Sequence, residues 1–543
     1  MPTTAGTYPF TVQVTDSATP TASTAQANLS ITVAATTSCT TLTGKESLLQ
    51  GDYAFVMNGF DASGNPVFLG GVFVASGAKG PGNITAGTLD MNLVSGVQTG
   101  LSITSASSYN LGLDPNATNG YRGCMSIVTS AGTMNYRFSV DAVGAITANV
   151  ASDGHIIGFD AGGPFTSGIL RQATPSAFST GAIAGNWAFG AAGAKPVSTG
   201  GSSGYFAVVG VLTLASGSIS GVADANSNGK LDNNSLLTAF PATAGITLNS
   251  GPYSIASNGR GTASFTPTGS SSALTNMFYV VSSSELLILN TDAQVSSGGT
   301  NTAFTGHALK QSGTFSNSSL TGNHVIYVSG GSTNGSTAAS RTEADIVKVT
   351  SGNNFTFSGY QNDGGNISDP TKNSGSGTFS VASNGRVTLT VAGATNLPIF
   401  YLSSANTAFF LNSDTASSAG NMEPQVGSSF TNSSASGTYG FGAINPAVPG
   451  ANNEEGTVTF TSSSASINGT SDKNSSGGLS PDNLAASSYA INSTGVGLFP
   501  AGCTLTGTSA NCENLLIVIS PTKAVLLKVK SSNTTPVLDI LEQ

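Results

Sequence analysis

The sequence predicts an all-β protein made of small antiparallel β-barrels in tandem, preceded by the last strands of a different β domain. Short runs rich in β-branched residues alternate between apolar and polar side chains, as half-buried strands do. Helical periodicity does not extend beyond two turns. A unit of roughly 110–140 residues recurs four times along the chain. Two packed sheets, forming a β-sandwich, are the alternative architecture for each unit.

Composition indicates folded units and excludes two classes of partner. Only 8% of the residues are charged and 38% are hydrophobic, so each unit can bury a core. The net charge is −9, and the 17 Lys and Arg residues form no cluster, which argues against a nucleic-acid partner. Aromatic residues make up 7% of the chain and are scattered, unlike the girdles of outer-membrane barrels. We therefore expect no membrane insertion of these units.

The N-terminal segment alternates with period two over residues 5–16 and 29–33. Its G-x-Y-x-F-x-V-x-V-x-D pattern resembles the last two strands of the immunoglobulin-like (cadherin-like) domains of bacterial surface proteins. We expect a partial domain at 1–34 and an Ala- and Thr-rich linker at 35–46. The start shows no basic region followed by an apolar one, so we expect this chain to lack a signal peptide and to begin inside a domain.

The rest of the chain repeats one unit. An opening motif recurs at residues 49–55, 183–189, 320–326 and 435–441. Unit ends match at 165–172 and 304–311, and inner turns match at 257–260 with 383–386 and at 289–292 with 411–414. Asn258-Gly259 predicts a type I′ hairpin turn. This order of matches predicts four barrels, at 47–172, 173–311, 312–425 and 426–543.

Aromatic and basic residues near the two ends of a unit resemble the lipocalin and avidin pattern. Trp187 follows a Gly-x step and pairs with Lys310 in the last strand, and Tyr53 pairs with Arg171 in the same way. The resemblance implies that the aromatic ring closes one barrel end while the cation stacks on it. The fourth unit has an acid, Glu542, where the cation would lie.

At the level of whole units, the chain resembles the Gly-, Ser- and Thr-rich repeat proteins of soil bacteria such as acidobacteria, in which such units follow immunoglobulin-like domains. This resemblance covers nearly the whole chain. It implies an extracellular or bacterial cell-surface location, and it implies no particular activity or site.

The four cysteines predict two disulfides or buried thiols. Cys503 and Cys512 are nine positions apart, a spacing that a hairpin can bring within bridging distance. Cys39 and Cys124 then remain as the second pair, which would tie the linker to the first unit. Free thiols are the alternative, and a bridge would fit an oxidising compartment.

One loop in the second unit resembles the start of a calcium-binding loop. Its D-x-N-x-N-G-x-x-D pattern matches EF-hand and dockerin loops, whose oxygens at alternating positions surround a hard cation. Position 12 of the loop is Ser235, where those families have a bidentate Glu. The alternative is a polar turn stabilised by its own Asx side chains. No other cofactor is expected, and the candidate calcium-binding residues are Asp224, Asn226, Asn228, Lys230 and Asp232.

The sequence contains no pattern that predicts catalysis. The three histidines, His155, His307 and His324, lie in three different units without zinc-binding spacing. No unit has an isolated acid pair that the others lack.

The favoured hypothesis is a non-catalytic extracellular repeat protein that serves as an elongated spacer, an adhesin or a matrix component. One alternative is an array of modules that bind glycans or small apolar ligands. The other is a secreted hydrolase with an unrecognised site. Glycans and other surface proteins are the expected partners.

Overall fold

The computed structural model describes residues 6–17, 19, 21, 23–33, 42–140, 146–147, 150–194, 204–227, 230–231, 245–270, 272–294, 303–334, 337–394, 397–414, 416–446, 448–475, 477–505 and 511–543. The chain divides into two units, Met1–Thr41 and Leu42–Gln543. Within the described residues, no helix is long and apolar enough to cross a membrane. The helical segments are single 3-10 turns, at Glu46–Leu48, Pro175–Ala177, Asn317–Ser319, Ser351–Asn353 and Asn432–Ala435.

The first unit contains an antiparallel hairpin. Its strands are β1 (Gly6–Thr15) and β2 (Thr24–Val33), with Phe10 opposite Leu29. The alternation read from the sequence therefore corresponds to two real strands. The assignment of this segment to an immunoglobulin-like domain stays a prediction.

The second unit contains four nine-stranded antiparallel sheets. The strands of barrel 1 are β3 (Gln50–Phe60), β4 (Pro66–Ser76), β5 (Gly82–Leu93), β6 (Gly96–Ser102), β7 (Ser108–Leu113), β8 (Tyr121–Thr129), β9 (Gly132–Val140), β12 (Asp153–Gly158) and β13 (Phe165–Gln172), and a two-residue ribbon beside them consists of β10 (Ile146–Thr147) and β11 (Val150–Ala151). The strands of barrel 2 are β14 (Gly185–Ala194), β15 (Tyr205–Ala215), β16 (Ser218–Ser227), β17 (Lys230–Leu231), β18 (Ile246–Ile255), β19 (Arg260–Pro267), β20 (Leu274–Ser282), β21 (Glu285–Asn290) and β22 (Ala303–Lys310).

Barrels 3 and 4 follow the same plan. The strands of barrel 3 are β23 (Gly322–Asn334), β24 (Thr337–Thr350), β25 (Asn354–Asp363), β26 (Asn366–Ser368), β27 (Ser374–Val381), β28 (Arg386–Thr390), β29 (Ile399–Ser404), β30 (Thr407–Leu411) and β31 (Ala416–Pro424). The strands of barrel 4 are β32 (Gly437–Ile444), β33 (Asn453–Thr461), β34 (Ser466–Ser475), β35 (Gly478–Ser488), β36 (Ala490–Ile491), β37 (Val496–Phe499), β38 (Asn514–Ser520), β39 (Lys523–Lys528) and β40 (Leu538–Glu542).

Each sheet is an up-and-down meander whose last strand pairs with its first. In barrel 1, β13 pairs with β3 and β4 pairs with β5, which closes the ring of strands. Barrels 2 and 3 close in the same way. In barrel 4, β35 leads through Tyr489 directly into β36, so the ring closes along the chain itself. Closure pairs the first strand of each meander with the last, so neither of them is a free sheet edge. The predicted fold of tandem antiparallel barrels is confirmed.

One local expectation for barrel 2 was wrong, at the turn after strand β18. This strand, Ile246–Ile255, bends between two neighbours. The turn after it is not type I′, because only Gly259 of the Asn-Gly pair has a positive φ, of 82°. The Ala256 N–H donates to the Arg260 carbonyl at 2.8 Å, which is the pattern of a three-residue hairpin loop.

The four barrels contact one another in a closed cycle, and an Asn on the third strand of each barrel marks every interface. The Asn side-chain amide donates to a backbone carbonyl of the next barrel, and barrel 4 contacts barrel 1. The pairs are Asn92 with Asn290 at 3.0 Å, Asn226 with Asn412 at 2.8 Å, Asn362 with Lys528 at 2.7 Å and Asn474 with Gly158 at 2.5 Å. The barrels therefore form a ring, and the expected elongated row is wrong.

At two of the interfaces, a buried carboxylate two residues before that Asn pairs with an Arg of the next barrel. Asp90 of barrel 1 accepts two hydrogen bonds from Arg260 of barrel 2, at 2.8 and 2.7 Å, and one from the Tyr279 hydroxyl at 2.9 Å. Asp224 of barrel 2 is held in the same way by Arg386 and by the Tyr401 hydroxyl of barrel 3, both at 2.7 Å. Bidentate pairing of this kind offsets the cost of burying the charges.

The interface between barrels 4 and 1 repeats the arrangement with one more cation. Asp472 of barrel 4 lies 2.5 Å from Arg122 and 3.2 Å from Arg137, both in barrel 1. Arg122 is the second residue of β8, and Arg260 and Arg386 are the first residues of β19 and β28. A buried Asp paired with Arg therefore links barrel 4 to barrel 1, as it links barrel 1 to barrel 2 and barrel 2 to barrel 3.

At the interface between barrels 3 and 4, uncharged residues stand in place of both the Asp and the Arg. Tyr360 of barrel 3 precedes Asn362 by two residues, where the other barrels have Asp. Val496 begins β37, where the other barrels have Arg. Tyr360 and Val496 belong to one apolar cluster with Ile517. Paired removal avoids leaving a single buried charge without its partner.

We expect this difference between interfaces to be reproducible by mutation. Arg386→Met leaves Asp224 buried without its guanidinium and should lower the free energy of unfolding by about 3–5 kcal/mol. The triple variant Asp224→Leu, Arg386→Met, Tyr401→Phe makes this interface apolar and should recover most of that loss. Urea unfolding followed by the fluorescence of Trp187, the one Trp of the chain, measures both. A triple variant less stable than the single variant would contradict the account.

Candidate functional site

In barrels 1, 2 and 4, a Phe on the first strand packs into the barrel core. Each ring packs over a Gly directly opposite it on the second strand, where a Cβ would lie only 2.7–3.0 Å from a ring carbon. Glycine is required at these positions because the ring occupies the space of a side chain. The pairs are Phe55 with Gly71, Phe189 with Gly210 and Phe441 with Gly456.

Barrel 3 departs from this arrangement at both positions. Ile326 stands where the other barrels have Phe, and it pairs with Asp345 where they have Gly. The aromatic position two residues earlier is also smaller, since His324 replaces Tyr or Trp. Barrel 3 therefore lacks the rings that fill the other barrels and carries a carboxylate inside.

The result is a cavity of about 280 Å³ inside barrel 3. Its walls are apolar and come from strands around the barrel, and they include Val347, Phe355, Phe379, Phe400 and Phe410. This size lies near the lower end of the range for small-molecule sites.

One end of the cavity is polar. Along β24, side chains at alternate positions face the same side of the sheet, which brings Arg341, Glu343 and Asp345 together on the cavity wall. Arg341 pairs with Glu343 at 3.0 Å and with Asp414 at 2.5 Å. The Asp414 side chain is 37% exposed, so this end of the cavity reaches solvent.

Asp345 is the unusual group of this cluster. It is buried, and its Oδ1 has no hydrogen-bond partner among the described residues. Burial, with Glu343 beside it, raises the pKa of Asp345 well above its usual range. Gly359 allows this placement, because a Cβ there would lie 2.4 Å from Oδ1. The cavity therefore offers a buried carboxyl group whose protonated form is favoured by burial.

The predicted calcium loop serves a different purpose where the structure describes it. Asp224 binds Arg386 and Tyr401, and Asn226 donates to backbone carbonyls of barrel 3. Asn228 and Asp232 lie outside the described residues, and of Lys230 only the backbone is described. Within the described parts of the chain, no group of three or more His, Cys, Asp or Glu residues could hold a metal ion. Calcium binding stays a prediction.

The cysteines are disulfide-bonded where the structure describes them. Cys503 and Cys512 form a bridge with a Cα–Cα distance of 5.1 Å. Cys124 is also in a disulfide, and its predicted partner Cys39 lies outside the described residues.

The predicted packing at the barrel ends differs between barrels 1 and 2. In barrel 2, Lys310 lies opposite Trp187, with its Nζ 5.8 Å from the ring centroid. In barrel 1, the pairing is shifted by one residue, so Gln172 and not Arg171 lies opposite Tyr53. A shift of one residue turns a side chain to the other face of the sheet. The predicted stacking of Arg171 on Tyr53 is therefore wrong.

The cavity residues were missed by sequence reasoning, although one signal was available. The opening motif ends in Phe in the first, second and fourth units and in Ile326 in the third. The third unit therefore lacks a large core residue at this position. The Arg-x-Glu-x-Asp run at 341–345 lies on a strand of period two and places three ionisable groups on one face. Together these two departures predict a hollow, polar-ended barrel.

Comparison with known proteins gives little further information. No family model and no curated protein matches the chain. One solved structure with partial similarity is a protein of unknown function from the DUF3598 family of Nostoc punctiforme PCC 73102. It shares 12% sequence identity with this chain, with 49% of this chain and 98% of that one covered, and the TM-score is 0.15.

We expect the aromatic filling of barrel 3 to be restorable. Ile326→Phe combined with Asp345→Gly recreates the pair found in the other barrels, and it should raise the free energy of unfolding by about 1–3 kcal/mol. The same variant should lose binding of the fluorescent dye N-phenyl-1-naphthylamine, whereas Ile326→Val should keep it. Unchanged dye binding in the double variant would show that the dye binds elsewhere.

Proposed function

We propose that this protein is a non-catalytic binding protein, and that barrel 3 holds a small amphipathic molecule with a cationic or hydrogen-bond-donating head group. The observation that carries the proposal is the cavity itself, with apolar walls and an unpartnered buried Asp345 Oδ1 at its polar end. An apolar tail would fill the space that Phe occupies in the other barrels. This is the small-ligand hypothesis, narrowed to one barrel.

The charges at the polar end favour a cation over an anion. Glu343, Asp345 and Asp414 surround a single cation, Arg341. Arg341 is already paired with two of these carboxylates, so a carboxylate or phosphate ligand would meet repulsion. An ammonium group can instead take the place of the proton on Asp345.

The compartment and the architecture bear on the wider hypotheses. The Cys503–Cys512 bridge supports the proposed extracellular or cell-surface location, because disulfides persist in oxidising environments. Ring closure shortens the reach of four barrels compared with a row, which argues against the spacer role. The adhesin and matrix roles stay predictions.

Three ligands with one tail test the proposal. Octylamine, octanol and octanoate differ only in the head group, and each can be measured by displacement of N-phenyl-1-naphthylamine. We expect octylamine to bind most tightly, and more tightly than octanoate by at least about tenfold. Asp345→Asn should remove most of this preference, whereas Asp160→Asn, at a half-exposed Asp of barrel 1, should not. Equal or tighter binding of octanoate would overturn the proposal.

Binding of the amine should strengthen as the pH rises. Burial raises the pKa of Asp345 and so favours its protonated form in the free protein, whereas a bound ammonium lowers that pKa, so binding releases a proton. Affinity should therefore increase with pH up to the raised pKa of Asp345 in the free protein and level off above it, as long as the alkylamine stays charged, below about pH 10. Calorimetry in buffers of different ionisation enthalpy measures the released proton directly. A flat pH profile with no proton release would contradict this role for Asp345.

A further inference from the structure

A second cavity lies at the centre of the ring, where the first and last strands of the four barrels meet. Its volume is about 300 Å³. One position of each last strand faces it, namely Arg171, Leu309, Glu423 and Glu542, opposite Ala54, Ala188, Val325 and Gly440 of the first strands. This cavity exists only because the barrels form a ring.

A chain of ion pairs crosses this cavity from barrel to barrel. Arg171 of barrel 1 lies 3.5 Å from Glu285 of barrel 2 and 3.6 Å from Glu542 of barrel 4. Lys523 of barrel 4 lies 3.1 Å from Glu542 and 2.8 Å from Glu423 of barrel 3. Each cation thus contacts at least two acids, and each of these acids contacts at least one cation.

Three buried polar atoms of the wall, on His155 and Glu542, have no hydrogen-bond partner within the described residues. His155 is 1% exposed, and neither of its ring nitrogens has a hydrogen-bond partner within the described residues. Glu542 Oε2 also has none, and it lies 3.7 Å from His155 Nε2. That separation is too long for a hydrogen bond. Buried polar groups are rarely left unsatisfied, so the pair indicates a bridging group.

The chemistry of the bridging group follows from the pair. Burial lowers the pKa of His155 to about 4, so its ring is neutral and offers one donor and one acceptor. Glu542 offers only acceptors. A hydroxyl group satisfies both partners, because it donates one hydrogen bond and accepts another.

The rest of the wall suits a molecule with several hydroxyl groups. The side chains of Asn58, Thr305 and Asn421 add neutral donors and acceptors. His307 packs edge-on against Phe409, with ring centroids 5.8 Å apart, and both line the cavity. Apolar surface beside alternating donors and acceptors matches the C–H faces and hydroxyls of a sugar ring.

We propose that the axial cavity binds a neutral polyol of monosaccharide size, with one hydroxyl bridging His155 and Glu542. The site is separate from the barrel 3 cavity and needs residues of all four barrels. A phosphate or carboxylate ligand is disfavoured, because both cations of the wall, Arg171 and Lys523, are already paired with carboxylates. The charged side chains of the wall already pair with one another. The polar groups that remain are best satisfied by hydroxyl groups of a ligand.

Saturation-transfer NMR on the full chain tests the proposal with four probes. Methyl glucoside and methyl galactoside are neutral, glucosamine is cationic and glucuronate is anionic. We expect a neutral sugar to bind, and Glu542→Gln and Asn421→Leu each to weaken it at least about fivefold. Asn421 is only half-buried, so its variant tests the site even where a change at Glu542 prevents folding.

Two controls separate this site from others. Glu513→Gln makes the same change in an exposed ion pair of barrel 4, with Lys530, and should leave sugar binding unchanged. Ile326→Phe with Asp345→Gly should abolish dye binding in barrel 3 and leave the sugar signal intact. No signal from either neutral sugar, binding of glucosamine or glucuronate alone, or an unchanged signal in both axial variants would each overturn the proposal.

Discussion

The architecture depends on a buried carboxylate of one barrel meeting a guanidinium of the next. Asp90, Asp224 and Asp472 are each almost fully buried and each contact Arg. Such a pair adds little net stability, because desolvation of both charges offsets their attraction. It imposes geometry instead, since a misplaced neighbour leaves a charge buried alone. Around a closed ring, each interface must fit while the other three are also satisfied.

Ring closure also explains how barrel 3 tolerates a hollow interior. A cavity and a buried carboxylate both cost stability. The apolar contact with barrel 4 around Tyr360 offsets part of this cost, and the Asp224–Arg386 contact holds barrel 3 in position against barrel 2. Barrels 1, 2 and 4 therefore support barrel 3, which can hold a ligand where they hold a Phe ring.

The sequence predicted what is local and missed what is distant. Period-two alternation and four recurrences were sufficient for the strands and the barrels. The ring was not foreseen, because Arg386 reads as part of a hairpin turn and its partner Asp224 lies 162 residues earlier. Asp224 and Asn226 resembled calcium ligands because oxygen atoms that suit a hard cation equally suit a guanidinium and a hydroxyl. Ile326 was visible as a departure, but its consequence required knowing that Phe packs over Gly across the barrel.

A crystal structure of the protein grown with octylamine tests the central claim most directly. The account requires an alkyl chain inside barrel 3, beside Ile326, with its ammonium within hydrogen-bond distance of Asp345 Oδ1. An interior closed by side chains, or the amine found only outside the barrel, would contradict it.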